Sequence, residues 1–282
     1  MPFYSYLGIV FLAISEVGMA LHIEPLWSWH TPIAWTGYIL LVDGIIFKKR
    51  GSSWLTSHRS EFLFLAVLSI PLWAVFEGFN LLIKNWHYIN LPENVIARYF
   101  GYAWAFATIS PAIFETAELV GLLHDRPSSI VHRPTSRLST ADSPSTLDDG
   151  LIATGAAMLL WPLVWPSPYL AAPVWLGFIF LLDPINHRLG AESLIGDVRR
   201  GRWDRLINLS VSGFVCGGLW EFWNYWARAK WIYDVPIMQD WKIFEMPLPG
   251  YFGFPPFALE CFTMYVFVRR LVWRGETRPI AL

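Results

Sequence analysis

Eight blocks of apolar residues, each near the length needed to cross a bilayer, leave this sequence little room for any other architecture. A spanning helix needs about 20 predominantly apolar residues, because each advances about 1.5 Å through a hydrocarbon core about 30 Å thick. The blocks cover roughly 3–22, 31–47, 61–83, 98–123, 151–165, 169–182, 205–227 and 250–272. Lipid offers the backbone no hydrogen-bond partner, so segments of this length and composition are helices. The fifth and sixth blocks are short and joined through Trp165-Pro-Ser-Pro168, a connection that also suits a hairpin. Charged residues make up 15% of the chain, against roughly 25% in soluble domains, and mean hydropathy is +0.40. The expected class is an all-α polytopic membrane protein with eight transmembrane helices.

Several functions are disfavoured at the same level. A net charge of −1 leaves no electrostatic footprint for nucleic acid. Cys216 and Cys261 fall in separate apolar blocks, so they form neither a disulfide framework nor a metal-ligand pair. Residues 1–22 lack a basic leader and a small-residue cleavage site, so no cleavable signal peptide is expected. No lysine lies deep in a block, and no nucleotide-binding glycine pattern, His-x-x-His or acidic diphosphate-binding cluster is present. No cofactor or metal is expected.

Basic residues suggest an orientation. With eight spans, the side that receives both termini and the loops around 48–59, 126–137 and 188–205 carries 16 of the 21 Lys and Arg. The positive-inside rule makes that side cytoplasmic, in a plasma or inner membrane. Residues 124–150 are rich in Ser, Thr, Pro and Asp and read as a flexible cytoplasmic linker. They separate a first membrane unit, 1–123, from a second, 151–282.

The two units match residue by residue. Trp35-Thr-Gly-Tyr-Ile-Leu-Leu-Val-Asp43 parallels Trp175-Leu-Gly-Phe-Ile-Phe-Leu-Leu-Asp183. Phe76-Glu77 and Asn80 parallel Trp220-Glu221 and Asn224, each followed by Trp-x-Tyr (Trp86 to Tyr88, Trp231 to Tyr233) and then by Pro92 or Pro236. Pro111 and Glu115 parallel Pro256 and Glu260, and the offset stays between 140 and 145 throughout. Duplication explains the pattern. Four spans per unit is even, so the repeats are parallel-oriented and related by an axis along the membrane normal.

The chemistry-bearing residues lie inside these repeats. Glu221 and Asn224 are three apart, on one helical face, within an aromatic run. An ionisable group at that depth is costly and therefore a functional candidate. Glu77, Glu115, Glu221 and Glu260 are expected to converge on a central cavity as candidate catalytic residues, with Asn80 and Asn224 orienting the carboxyls. Interhelical hydrogen-bond glue is the competing reading. Trp73, Trp220, Trp223 and Tyr225 are candidate substrate-binding residues, and packing between helices explains such aromatics equally well. Pro255-Pro256 after Gly250 and Gly253 fits either a re-entrant start to the last span or an interfacial loop. Asp183 and His187 lie one turn apart, with Arg188 next, and fit a metal or phosphate contact, or a helix cap with an ion pair. Glu16 has no counterpart and is expected to pair with a neighbouring helix.

An aromatic helix ending in Trp220-Glu221, then Lys230-Trp231-x-Tyr233, then Pro247-Leu-Pro249, then a helix carrying Glu260, resembles the duplicated membrane domains of the carotenoid (lycopene) cyclase family. The likeness covers about 60 residues per half. Gly250-Tyr251 stands where that family has an adjacent acidic pair. The resemblance implies an all-helical membrane fold that cyclises polyene ends by protonation, without net redox change. The leading expectation is thus an integral-membrane enzyme acting on a lipophilic isoprenoid or carotenoid by acid catalysis, as a cyclase or hydratase. Its partners are the lipid bilayer and that substrate, and the sequence leaves its oligomeric state open. A repeat-built transporter or channel, or a structural membrane subunit, are the alternatives.

Overall fold

The computed structural model describes residues 1–123 and 145–281. The linker expected at 124–150 falls mostly outside the described residues. Its last residues belong to a helix that begins at Thr146, where Ser145 and Asp148 form a reciprocal capping box.

In chain order the elements are α1 (Phe3–Ala20), α2 (His30–Arg50), α3 (Trp54–Ser57), α4 (Arg59–Ile83), β1 (Trp86–Ile89) and α5 (Val95–Leu123). Then follow α6 (Thr146–Val164), α7 (Ala171–Arg188), α8 (Leu194–Arg199), α9 (Asp204–Trp226), β2 (Lys230–Tyr233), β3 (Lys242–Ile243), β4 (Met246–Pro247) and α10 (Phe254–Val272). The chain is mostly helical. Among the described residues, seven helices are long and apolar enough to cross a membrane: α1, α2, α4, α5, α6, α7 and α10, the last two with short 3-10 lead-ins. The helix expected at 205–227 forms as α9, 23 residues long. Asp204, Arg205, Asn208, Glu221 and Asn224 keep it out of that hydropathy class.

Burial divides the bundle. The membrane-length windows of α2, α5 and α10 are mainly buried, whereas only about a fifth of each window in α1, α4, α6 and α7 is buried. Phe3, Val17, Leu63 and Leu81 are among the exposed apolar side chains, the surface expected of helices that face lipid. The core gathers Trp35, Phe76, Phe114, Leu209, Phe257, Phe262 and Tyr265. α1 packs on α2, and α6 on α7, at glycine contacts. A Cβ on Gly8 would stand 2.6 Å from the Gly37 carbonyl, and one on Gly155 2.7 Å from that of Gly177.

Pro111 lies inside an unbroken α5. One residue earlier the Ser69 hydroxyl of α4 enters the helical ladder, donating to Phe106 O at 2.6 Å and accepting from Ser110 N at 3.1 Å. An inserted side chain is a known way to re-satisfy a strained ladder. The re-entrant segment considered for 250–256 is instead a 3-10 turn, Leu248–Gly253, running straight into α10. Pro255 sits in the first turn of α10, where the missing N–H costs nothing.

At the end of the bundle bearing the termini, buried charges form one network. Glu61 accepts from Arg269 at 2.9 Å and from the Arg278 backbone N–H at 2.6 Å. Glu118 pairs with Arg278 and with Arg50. Arg205 pairs with Asp197 and Glu192, and donates to the Ile280 carbonyl at 3.0 Å. The segment around Ile280 is thereby held inside the helix bundle. Removing one partner of a buried ion pair strands the other. Glu61→Ala is therefore expected to cost about 3–5 kcal/mol, read as thermal unfolding in detergent. Breaking the exposed Arg188–Asp149 pair with Arg188→Ala should cost no more than about 1 kcal/mol.

Candidate functional site

At the opposite end, β1 and β2 pair antiparallel across the molecule, with Trp86 opposite Tyr233 and Tyr88 opposite Trp231. Beneath this ribbon lies a cavity of about 480 Å³, within the 300–1,000 Å³ range of small-molecule pockets. Its wall is rich in aromatic rings: Trp29, Trp35, Trp73, Trp86, Trp175, Trp220 and Trp231, with Tyr88, Tyr102, Tyr233, Phe106 and Phe257. The rings brace one another. Trp175 stacks on Phe76 at 5.1 Å and meets Phe257 edge-on at 5.3 Å, and Trp220 lies 5.6 Å from Phe257. Such indole plates are stiff and leave space that flexible aliphatic chains would fill. The lining reaches the surface at Tyr169 and Phe252, which are 64% and 74% exposed.

The four glutamates do not converge on this space. Glu77 and Glu221 stand one hydrogen bond behind the wall. Glu77 Oε1 accepts from the Tyr88 hydroxyl at 2.5 Å and from the indoles of Trp73 at 2.8 Å and Trp86 at 3.3 Å. Glu221 Oε1 accepts from the Tyr233 hydroxyl at 2.8 Å. Glu115 is fully buried towards the other end of α5, against Asp43. Glu260 is fully buried between α10 and α7, accepting only from Phe178 N at 3.3 Å. Neither lines the cavity.

The asparagines do not orient the carboxyls either. Asn224 Oδ1 accepts from Trp231 N at 2.9 Å, while its Nδ2 donates to Trp231 O at 2.9 Å. Asn80 does the same for Trp86, donating to its carbonyl at 2.8 Å and accepting from its N–H at 3.2 Å. Each asparagine thus clamps a helix end to the strand that follows. The Glu-x-x-Asn unit holds a strand with one side chain and its tyrosine with the other.

Of the aromatics expected to bind substrate, Trp73 and Trp220 line the cavity. Trp223 turns away, packs edge-on to Trp35 at 4.8 Å, and donates to Glu16 at 3.0 Å. That bond supplies the neighbouring-helix partner expected for Glu16. Tyr225 lies on the outside of α9 with Lys230 over its ring at 5.0 Å, and Lys230 pairs with Glu245 at 2.6 Å. Asp183 caps α8 by accepting from Leu194 N and Ile195 N at 2.7 and 2.8 Å, and Asp43 accepts from Leu55 N at 2.9 Å. Arg188 pairs with Asp149.

The residues that sequence reasoning left out of the site are Tyr88, Tyr233, Trp86, Trp231 and Trp175. The repeated Trp-x-Tyr was the available signal. Burial first, then the facing Glu221 carboxyl, pushes the Tyr233 phenol well above its ordinary range, and burial with Glu77 does the same for Tyr88. Both are neutral hydroxyls at physiological pH. No protein-family model, curated protein or solved structure matches the chain.

Losing an asparagine clamp leaves a strand N–H and a carbonyl unpaired. Asn224→Ala and Asn80→Ala are each expected to cost about 1–3 kcal/mol and to raise hydrogen exchange at the ribbon amides. Unchanged protection at Trp231 and Trp86 would refute the clamp.

Proposed function

We propose that the protein is an integral-membrane enzyme that acts on a lipophilic isoprenoid- or carotenoid-like substrate by acid catalysis, as a cyclase or hydratase. One observation carries the reading: an aromatic cavity is lined by two tyrosines, Tyr88 and Tyr233, each with its hydroxyl bonded to a glutamate on a helix. A polyene protonated in such a space becomes a carbocation, and indole faces stabilise a desolvated cation by about 2 kcal/mol or more each. The surface-reaching edge at Tyr169 and Phe252 suits entry of an apolar molecule from the side. The apolar wall favours this reading over a transporter, whose path needs polar lining, and the open volume favours it over a packed structural subunit.

The framework belongs to the same proposal. α9 serves as an eighth span, its polar face turned inward where Glu221 and Asn224 are fully buried. The halves are parallel-oriented repeats about an axis along the membrane normal. The matched Asn clamps, Tyr–Glu bonds and Asp43 and Asp183 caps support duplication, as does the ribbon register, in which the Trp86–Tyr233 pair exchanges with Tyr88–Trp231 under a two-fold. We assign both termini to the cytoplasmic side, the side whose loops and C-terminal segment carry 16 of the 21 Lys and Arg.

The test supplies acyclic polyenes in lipid vesicles to the purified protein and follows products by chromatography. Glu221→Gln is expected to fold normally and to lose about 10²–10⁴-fold in product formation, the usual worth of a positioned general acid. Wild-type turnover in that variant would sink the assignment.

A further inference from the structure

The two tyrosine–glutamate pairs occupy matching positions and are bonded differently. Three donors converge on Glu77 Oε1, and the residue is only half-buried. Glu221 is fully buried, receives a single donor, and its Oε2 has no partner. Two differences explain the contrast: Trp73 has Gly217 at its matching position, and the matching indoles Trp86 and Trp231 bond differently. Trp86 gives its N–H to the carboxylate Glu77, whereas Trp231 gives its N–H to the phenol Tyr233 at 2.8 Å. Trp231 also lies near Glu221, and Trp73 near Tyr88, yet their hydrogen bonds go to Tyr233 and Glu77.

From this asymmetry we propose a division of labour, which rests on the acid-catalysed reading above: the Glu221–Tyr233 pair delivers a proton to the cavity, and the Tyr88–Glu77 pair removes one. A carboxylate with several donors is stable as the anion, and a buried one with a single donor is stable as the neutral acid. A hydroxyl has one proton and two acceptor lone pairs. With Glu221 protonated, the 2.8 Å contact reverses and the acid donates to Tyr233. Trp231 occupies the second lone pair, so the Tyr233 proton is left to face the cavity. Tyr88 is the converse. Its proton is committed to Glu77, and its lone pairs are open to accept.

The step balances. The π electrons of a substrate C=C take the Tyr233 proton, forming a C–H bond and a carbocation, while Tyr233 recovers a proton from Glu221. A C–H bond beside the cation then breaks, and its electron pair becomes a new C=C. That proton passes to Tyr88 as Tyr88 passes its own to Glu77. The substrate is isomerised without oxidation or reduction. Water resets the pair by taking one proton from Glu77 and returning one to Glu221. Separated acid and base of this kind are how paired carboxyls divide roles.

Two experiments test this. The first is infrared spectroscopy of the purified, substrate-free protein in detergent. Glu221→Gln should remove one protonated-carboxyl C=O band, and Glu77→Gln should remove a carboxylate band instead. If Glu221→Gln fails to fold, Tyr233→Phe should shift that same C=O band and Tyr88→Phe should leave it in place. Loss of the protonated band in Glu77→Gln, or its persistence in Glu221→Gln, overturns the assignment. The second supplies acyclic polyenes in D2O. Tyr233→Phe should block deuterium entry into the polyene, while Tyr88→Phe should allow entry and slow final product release. The reverse pattern overturns the proposal. Failure of the wild type to convert any polyene refutes the substrate reading, and the infrared result still decides which carboxyl holds the proton.

Discussion

A bilayer core leaves every backbone N–H and C=O dependent on the protein itself, and the arrangement of polar side chains in this molecule follows from that constraint. Long helices satisfy most of the backbone. Where a helix ends or its ladder opens, a buried polar side chain closes the gap. Ser69 enters α5 beside Pro111, Asn80 and Asn224 tie helix ends to strands, and Asp43 and Asp183 take up the N–H groups of the short helices α3 and α8. Many of the residues that look functional by cost alone are the fittings of a mostly helical membrane fold.

The remaining polar groups at the ribbon end have a different place. Glu77 and Glu221 are bonded to side chains rather than to backbone, and those side chains form the cavity wall. The ribbon acts as a lid whose tyrosines are held from behind, while the asparagines fix its strands. Large indoles on α2, α4, α7 and α9 brace one another and keep the space beneath open. At the other end the geometry reverses. Charges pair densely, and the segment carrying Arg278 and Ile280 is drawn into the bundle by Glu61, Glu118 and Arg205.

Much was legible in the chain before any coordinates. Apolar block lengths located the eight long helices among the described residues, seven of them long and apolar enough to cross a membrane. Glu221, Asn224, Glu77 and Asn80 were legible as a matched set by their spacing. Their partners were not. A carboxyl and an amide on one helical face look like one site, yet Asn224 reaches Trp231 and Glu221 reaches Tyr233, both on a strand beyond the helix. Trp223 and Tyr225 were indistinguishable in sequence from Trp220, and a rotation about the helix axis separates them.

The sequence by itself determined a mostly helical membrane chain, its paired motifs, and which polar residues lie deep. Those follow from local quantities: hydropathy, helical period and spacing. The tertiary structure alone decided that the glutamates sit behind tyrosines, that Glu115 and Glu260 stand apart from the cavity, and that matching indoles bond differently in the two halves. Those depend on which faces meet and on hydrogen-bond direction across strands about 145 residues apart, which no local pattern encodes.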